Sequence, residues 1–292
     1  YLSPKVVEKL AKNPEGVQLG GETREMTFHF CDIRGFTTIS EKFDPHGLTV
    51  FINNFLTPMT EIILQHDGTI DKYMGDCIMA FWNAPMNVPG HARRACEAAL
   101  KMHDKLAMLN AQWQDEAKAK GITLPKIEIG TGLNTGPAVV GNMGSTLRVD
   151  YTVLGDDVNL ASRLEGQSKT YGVHIVIGPL TREQTPDFAA IELDLIKVKG
   201  KTKPVNIYAL LGDPAVAKSA PFLAFAAKHA EFLKVYRSAR FEEAAGLMAE
   251  ARVLGEPWHL GKLYDLYAER LEAFRSEPPP PRWDGVFTAT SK

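Results

Sequence analysis

The chain has 292 residues, with 33 Lys and Arg against 35 Asp and Glu and a formal net charge of −2. That length allows one large core or a medium core beside a smaller one, and the charge excludes the broad basic field that duplex nucleic acid demands. No uninterrupted apolar run reaches membrane-span length, nothing resembles a signal peptide, and Cys31, Cys77 and Cys96 lack Cys-x-x-Cys spacing, so they read as packed, reduced thiols.

In chain order, Ser3 to Lys12 reads as a short helix with Ser3 as N-cap and Pro4 in its first turn. A polar, glycine-rich connector completes a flank at 1–23, and the start at Tyr1 reads as a cut from a longer protein. From Met26 strands and helices alternate. A strand Met26–Ile33 breaks into a glycine turn, and a helix spans Asp44 to His66. Strands Thr69–Met74 and Cys77–Trp82 then form a hairpin with Gly75-Asp76 at its tip. The next helix, Gly90 to Lys120, carries an apolar stripe of Ala92, Ala95, Ala98, Ala99 and Met102. Strands are expected at Ile127–Leu133, Ala138–Met143 and Arg148–Leu154, a helix from Asp156, and strands at His174–Ile177, Ile191–Val198 and Val205–Leu211. The order βαββαβ is that of a ferredoxin-like α+β layer with additions, assigned to 24–212.

Composition changes after Gly212. Three amphipathic helices, Phe222–Ser238, Phe241–Leu254 and Trp258–Arg275, make 213–292 a helical extension with a proline-rich tail. They read either as a fragment of a helix-hairpin repeat, too short for a free-standing array, or as an extension packed on the main domain, which is favoured. The tail after Pro278–Pro281 is expected to wrap back through Trp283 and Phe287.

Two aspartates carry the chemistry. Asp32 closes the apolar run Phe28–Ile33, and Asp76 sits at the hairpin tip. Carboxylates at adjacent strand ends suit Mg²⁺, which needs only one or two of them plus phosphate oxygens and water. The turn after Asp32 offers backbone N–H groups at a helix start, a cradle for phosphate. Together these point to two-metal phosphoryl or nucleotidyl transfer. Gly130-Thr131-Gly132 with Gly136 looks like a nucleotide glycine loop, but no Gly-Lys-Ser/Thr follows; a tight β-turn that lets backbones approach is the reading. His29, His66 and His91 lack metal spacing and read as packed or surface residues.

Four segments resemble the class III nucleotidyl cyclases: Phe30–Thr37, Asp71–Asp76, Gly130–Gly136 and Tyr151–Glu165, in family order within Glu22 to Leu211. The resemblance implies an adenylate cyclase catalytic domain that converts ATP to 3′,5′-cyclic AMP and pyrophosphate with two Mg²⁺ or Mn²⁺ ions. It implies a head-to-tail homodimer whose shared active sites draw metal ligands from one subunit and base and ribose contacts from the other. Asp32 and Asp76, with the Ile33 carbonyl, match the metal ligands. Gly35, Phe36 and Thr37 follow as the phosphate turn. Lys72 and Thr152 match the purine-reading pair, and Lys with Thr favours ATP, since family guanylate cyclases generally place Glu and Cys there. Asn159 and Arg163, four apart on one helix face, match the ribose-orienting and transition-state residues. Lys199 matches the triphosphate lysine, with Lys201 a near alternative, and Arg148 is a further phosphate candidate. The alternatives are a guanylate cyclase or a catalytically silent nucleotide-binding module. An upstream sensor, a cytoplasmic catalytic domain and a membrane anchor in a missing N-terminal region are compatible with the family.

Overall fold

In β1 (Gly20–Ile33), successive side chains point to opposite faces, and both faces are covered. Cys31 and Ile33 enter one core with Ile78, Ala80 and Trp82 of β3 (Cys77–Trp82). Met26, Phe28 and Phe30 enter another with Met79 and Phe81. The computed structural model describes Val7, Ala11, 19–119, Gly121, 123–145, 147–197, 203–280 and 283–288. Val7 and Ala11 are helical; the rest of the expected Ser3–Lys12 helix lies outside the described residues.

Helix α1 (Phe36–Ser40) follows β1, and α2 (Pro45–Gln65) is capped by the Asp44 carboxylate, which accepts from the His46 and Gly47 amides at 3.0 Å. By length and composition α2 is long and apolar enough to cross a membrane, although polar residues such as Asn53, Asn54 and Glu61 interrupt its apolar run. Here its Phe51, Phe55, Met59 and Ile63 fill the first core. Strand β2 (Thr69–Met74), helix α3 (His91–Ala119) and strand β4 (Ile129–Gly144) complete the ferredoxin-like unit. Its strands run in the order β2-β3-β1-β4 with every neighbouring pair antiparallel.

Next come β5 (Val149–Leu154), α4 (Asp156–Tyr171), β6 (Ile175–Ile177), α5 (Pro179–Gln184), β7 (Ala189–Lys197) and β8 (Val205–Gly212). They extend the sheet to β4-β6-β8-β7, with β5 paired to β4. Beyond them lie α6 (Pro214–Ala217), α7 (Ala220–Arg237), α8 (Phe241–Leu254) and α9 (Gly261–Ser276). Trp258, expected to open the last helix, ends a 3₁₀ turn at Glu256–Trp258 instead, because Pro257 and the left-handed His259 interrupt the α geometry.

The extension packs on the main domain. Phe225, Phe232, Tyr264 and Tyr267 share a continuous core with Leu164, Tyr171, Val176, Ile191 and Ile207. The tail does return: the Trp283 ring lies 5.3 Å from that of Tyr236, and Phe287 in β9 (Phe287–Thr288) pairs with Ile196 of β7.

The glycine reading is corrected too. Gly130, Gly132 and Gly136 form no turn; they lie within the continuous strand β4 and face α4. A Cβ on Gly132 would sit 2.2 Å from the Glu165 amide nitrogen and 2.3 Å from the Ala161 carbonyl oxygen, and one on Gly136 2.4 Å from the Asp157 carboxylate. The close approach was correctly read, but between strand and helix. Gly132→Ala should therefore cost about 1–3 kcal/mol through overpacking against rigid backbone. In α4 itself, Gly166 has nothing within 4 Å of its would-be Cβ, and Gly166→Ala should stabilise by about 0.5–1 kcal/mol. Urea titrations of the two variants check both signs.

Candidate active site

The end of β1 and the β2–β3 hairpin meet at two carboxylates. Gly75 takes φ 66 at the hairpin tip, a left-handed turn that favours glycine, and delivers Asp76 so that its Oδ2 accepts from the Ile33 amide at 3.1 Å. Asp32 is half-buried, and its Oδ1 has no hydrogen-bond partner. Burial, then the hydrogen bond and charge of Asp76, then the charge of Glu165, push the Asp32 carboxyl up to about 7. Glu165 in α4 is likewise pushed up to about 7, by burial first and by Asp76 among the charges.

The local cation is already committed. The Arg34 guanidinium donates to the Val173 carbonyl at 2.5 Å and to the Ser168 hydroxyl at 3.3 Å. Among the described residues no group of three or more His, Cys, Asp or Glu side chains is arranged to hold a metal. The two carboxylates offer oxygen donors alone, the kind of set that suits Mg²⁺ or Mn²⁺ with water completing the shell. Mutual repulsion and an unpartnered Asp32 oxygen fit a divalent cation there.

A second cluster forms around a residue the sequence reading passed over. Asp71 accepts from the Thr152 hydroxyl at 2.6 Å, and its other oxygen lies 3.3 Å from Lys72 Nζ. The structure thus brings Lys72 and Thr152 together through Asp71. The β2–β3 register shifts between Ile70 and Lys72, so strict alternation does not describe this stretch.

Asn159 and Arg163 stand on α4, Asn159 exposed and Arg163 half-buried with a buried, unpartnered Nη1. Among the described residues, no hydrogen bond or ion pair links either to the Asp32–Asp76 pair or to the Asp71 cluster. Gly35, with φ 67, opens α1, and Phe36 and Thr37 form its first turn with no side-chain cap. Arg148 is not gathered in: it is 82% exposed and pairs with its neighbour Asp150 at 3.5 Å. Lys199 and Lys201 lie outside the described residues.

His29, His66 and His91 and the three cysteines lie in packing or local hydrogen bonds. His29 is buried edge-on to Trp82, His66 bonds the Ile62 carbonyl, and His91 bonds the Thr27 hydroxyl at 2.8 Å. All three cysteines are free, and burial pushes the Cys77 and Cys96 thiols up to about 12 and Cys31 further.

Residues 21–212 match the family model described as the adenylate and guanylate cyclase catalytic domain. Adenylate cyclase 1 of Rhizobium meliloti is 36% identical over 209 residues, 70% of this chain and 30% of the relative. The structure resembles that of the adenylyl cyclase CyaB from P. aeruginosa, with a TM-score of 0.60 and 38% identity over 67% of this chain and 97% of that one. It also resembles the guanylyl cyclase Cya2, with a TM-score of 0.59 and 35% identity over 67% and 95%. The chain belongs to the class III cyclase family and carries its catalytic domain.

The carboxylate pair has a consequence that can be read without turnover. Because the Asp32 pKa is raised on folding, its ionised form destabilises the fold. The penalty is complete above about pH 7 and fades as pH falls toward the unfolded value near 4. Without divalent metal, Asp32→Asn should be more stable than wild type by about 2 kcal/mol at pH 8, discounted for partial solvent screening. The gap should shrink toward pH 5, and millimolar Mn²⁺ at pH 8 should shrink it by stabilising wild type alone. Thermal melts across pH, with and without Mn²⁺, measure it.

Proposed function

We propose that the chain is an adenylate cyclase. The ribose 3′-hydroxyl of ATP gives up its proton to solvent as its oxygen bonds to the α-phosphorus, the bond from that phosphorus to the β-bridging oxygen breaks, and its electron pair leaves with pyrophosphate. The observation that carries this reading is the Asp32–Asp76 pair, two carboxylates brought to one sheet end, with Asp76 on the Ile33 amide and Asp32 keeping an unpartnered oxygen. Asp32, Asp76 and the Ile33 carbonyl would hold two Mg²⁺ or Mn²⁺ ions, which when bound lower the pKa of the attacking hydroxyl and neutralise triphosphate charge.

The chain's own side chains supply the rest. Asn159 orients the ribose, and Arg163, with its unpartnered Nη1, meets charge as it builds on the pentavalent phosphorus. The amides of Gly35, Phe36 and Thr37 receive phosphate, with Lys199 or Lys201 as a further cation. The Lys72 ammonium donates to adenine N1, and the Thr152 oxygen accepts from the 6-amino group. Likeness to a guanylyl cyclase at 35% identity keeps GTP as the second reading. Guanine's N1–H would face Lys72 donor to donor, which favours ATP.

The working unit is a head-to-tail homodimer with two shared sites. Support comes from the hairpins that bear the two half-sites, where Tyr73, Met74, Val139 and Leu154 are exposed apolar residues. A cytoplasmic setting, where ATP and reduced thiols coexist, and an upstream sensor feeding the dimer through the segment before β1, belong to the same proposal.

Asp32→Ala and Arg163→Ala should each abolish cyclisation of ATP, assayed beside GTP with Mg²⁺ and Mn²⁺. Mixed in equal amounts they should recover about a quarter of wild-type activity, since half the dimers then carry one intact site of two. No recovery in verified heterodimers would place all the residues of a site on one chain. GTP turned over faster than ATP would exchange the first reading for the second.

A further inference from the structure

We propose that Asp71 sets the hydrogen-bond polarity of Thr152, locking its hydroxyl as an acceptor toward the base and so making the site reject a 6-oxopurine. This rests on the reading above that Lys72 and Thr152 contact the purine, and deepens it by assigning the discrimination to a residue that touches neither substrate nor metal.

The geometry points there from three sides. The Asp71 side chain is 1% exposed, so its carboxylate has almost no access to water and must be satisfied by protein. Thr152 Oγ1 lies 2.6 Å from Oδ2, a length typical of a hydroxyl donating to an ionised carboxylate. Lys72 Nζ sits 3.3 Å from Oδ1. Burial raises the Asp71 carboxyl above its ordinary range, and the Thr152 hydroxyl, the Lys72 ammonium and the Val153 amide work against that in favour of the ionised form.

A carboxylate only accepts, and a threonine hydroxyl has a single proton. With that proton on the Asp71 side, the remaining lone pairs of Oγ1 can only accept. The 6-amino group of adenine meets a lone pair and bonds to it. The 6-oxo group of guanine or hypoxanthine meets the same lone pair and is repelled. Threonine alone would not discriminate, because a free hydroxyl rotates to suit either partner. Lys72, which is 44% exposed on its side chain, keeps two further N–H bonds for the ligand.

The same carboxylate therefore holds both base-reading groups in register. It spans β2 and β5, strands that do not pair with each other. Asp71 acts through Thr152 and Lys72 and is a positioning residue.

The test is a substrate ratio. Wild type, Asp71→Asn, Thr152→Val and the double variant are assayed for kcat/KM with ATP and with inosine triphosphate, which carries the 6-oxo group without the 2-amino group. In Asp71→Asn the amide oxygen will turn to the Lys72 ammonium and the NH₂ group to Thr152. That frees the Thr152 proton to donate to the 6-oxo group, and the ATP-over-ITP ratio should fall by roughly tenfold or more. In the Thr152→Val background the same Asp71 change should leave the ratio within about twofold, there being no hydroxyl left to orient. A purely structural tie would lower both substrates together and hold the ratio, which overturns the proposal.

Thr152→Val decides the matter independently should Asp71→Asn not fold. Removing a locked acceptor must lower ATP turnover and raise ITP turnover, whereas removing a hydroxyl free to donate lowers both. If Thr152→Val shifts neither substrate, the base-reading assignment itself fails and takes the proposal with it. If Thr152→Val shifts the ratio as stated while folded Asp71→Asn does not, the base reading stands and the Asp71 lock alone is wrong.

Discussion

The contact between α4 and the glycines of β4 is the constraint on which the rest of the site depends. Side chains on two packed elements normally hold their backbones well apart, yet here the backbone of α4 lies where the Cβ of Gly132 would be. The helix is consequently wedged. Val158 and Ala161 enter the core on one side, and Leu160, Leu164 and Tyr171 enter the core shared with the extension. Close-packed interiors do not deform continuously, so Asn159 and Arg163 have one position relative to β4. Since β1 is paired to β4 from Gly20 to Ile33, they also have one position relative to Asp32. The glycines thus fix the helix that bears Asn159 and Arg163 against the strand that ends in Asp32 and Ile33.

Two halves of the site differ in their electrostatics in an informative way. Around Asp71 the charges close locally: one ammonium, one hydroxyl and one amide meet a buried carboxylate. Around Asp32 they do not. Asp76 and Glu165 add negative charge, while Arg34 is turned toward the Val173 carbonyl and Ser168. Folding tolerates such imbalance where function requires it. A pre-organised recognition surface must be self-satisfied to hold its shape, whereas a cation site gains affinity from repulsion that the cation relieves. The contrast matches the roles assigned to the two halves.

Much of this was legible in the chain because short-range chemistry set it. The strands Thr69–Met74 and Cys77–Trp82 were read with their observed bounds, since a left-handed Gly75 between apolar runs leaves little choice of turn. The extent of α2 was equally clear: the expected helix from Asp44 to His66 ends at the residues that cap it. What escaped notice depended on distant partners. The glycines of β4 suggested a turn because nothing local reveals that a helix some thirty residues later will rest on them. Helix α5 at Pro179–Gln184 is short and has no apolar period of its own. Asp71 was hidden by the bulge, which breaks the alternation used to assign faces, and its importance appears only when β5 brings Thr152 to it. The resemblance to cyclases supplied the roles of Lys72 and Thr152 but not the group that joins them.

The extension ties into the same logic from the far end of α4. Tyr171, the last residue of that helix, donates to Asp194 Oδ2 at 2.7 Å, and Arg270 of α9 donates to the same oxygen at 2.6 Å. Lys262, at the start of α9, donates to the Lys169 carbonyl at 2.5 Å, and its side chain lies over Gly172, the left-handed C-cap of α4. The Arg270 guanidinium also sits 3.6 Å from the centre of the Phe287 ring, which pins the returning tail against β7. A buried ion pair adds little net stability over a well-packed apolar alternative, yet breaking one partner is costly. Such a pair selects one docking arrangement over near neighbours more than it strengthens any of them. Here it joins β7, the C-terminal end of α4, α9 and the tail in a single arrangement. The helix that carries Asn159 and Arg163 is therefore held at both ends, by glycine contact along β4 and by the extension beyond Tyr171.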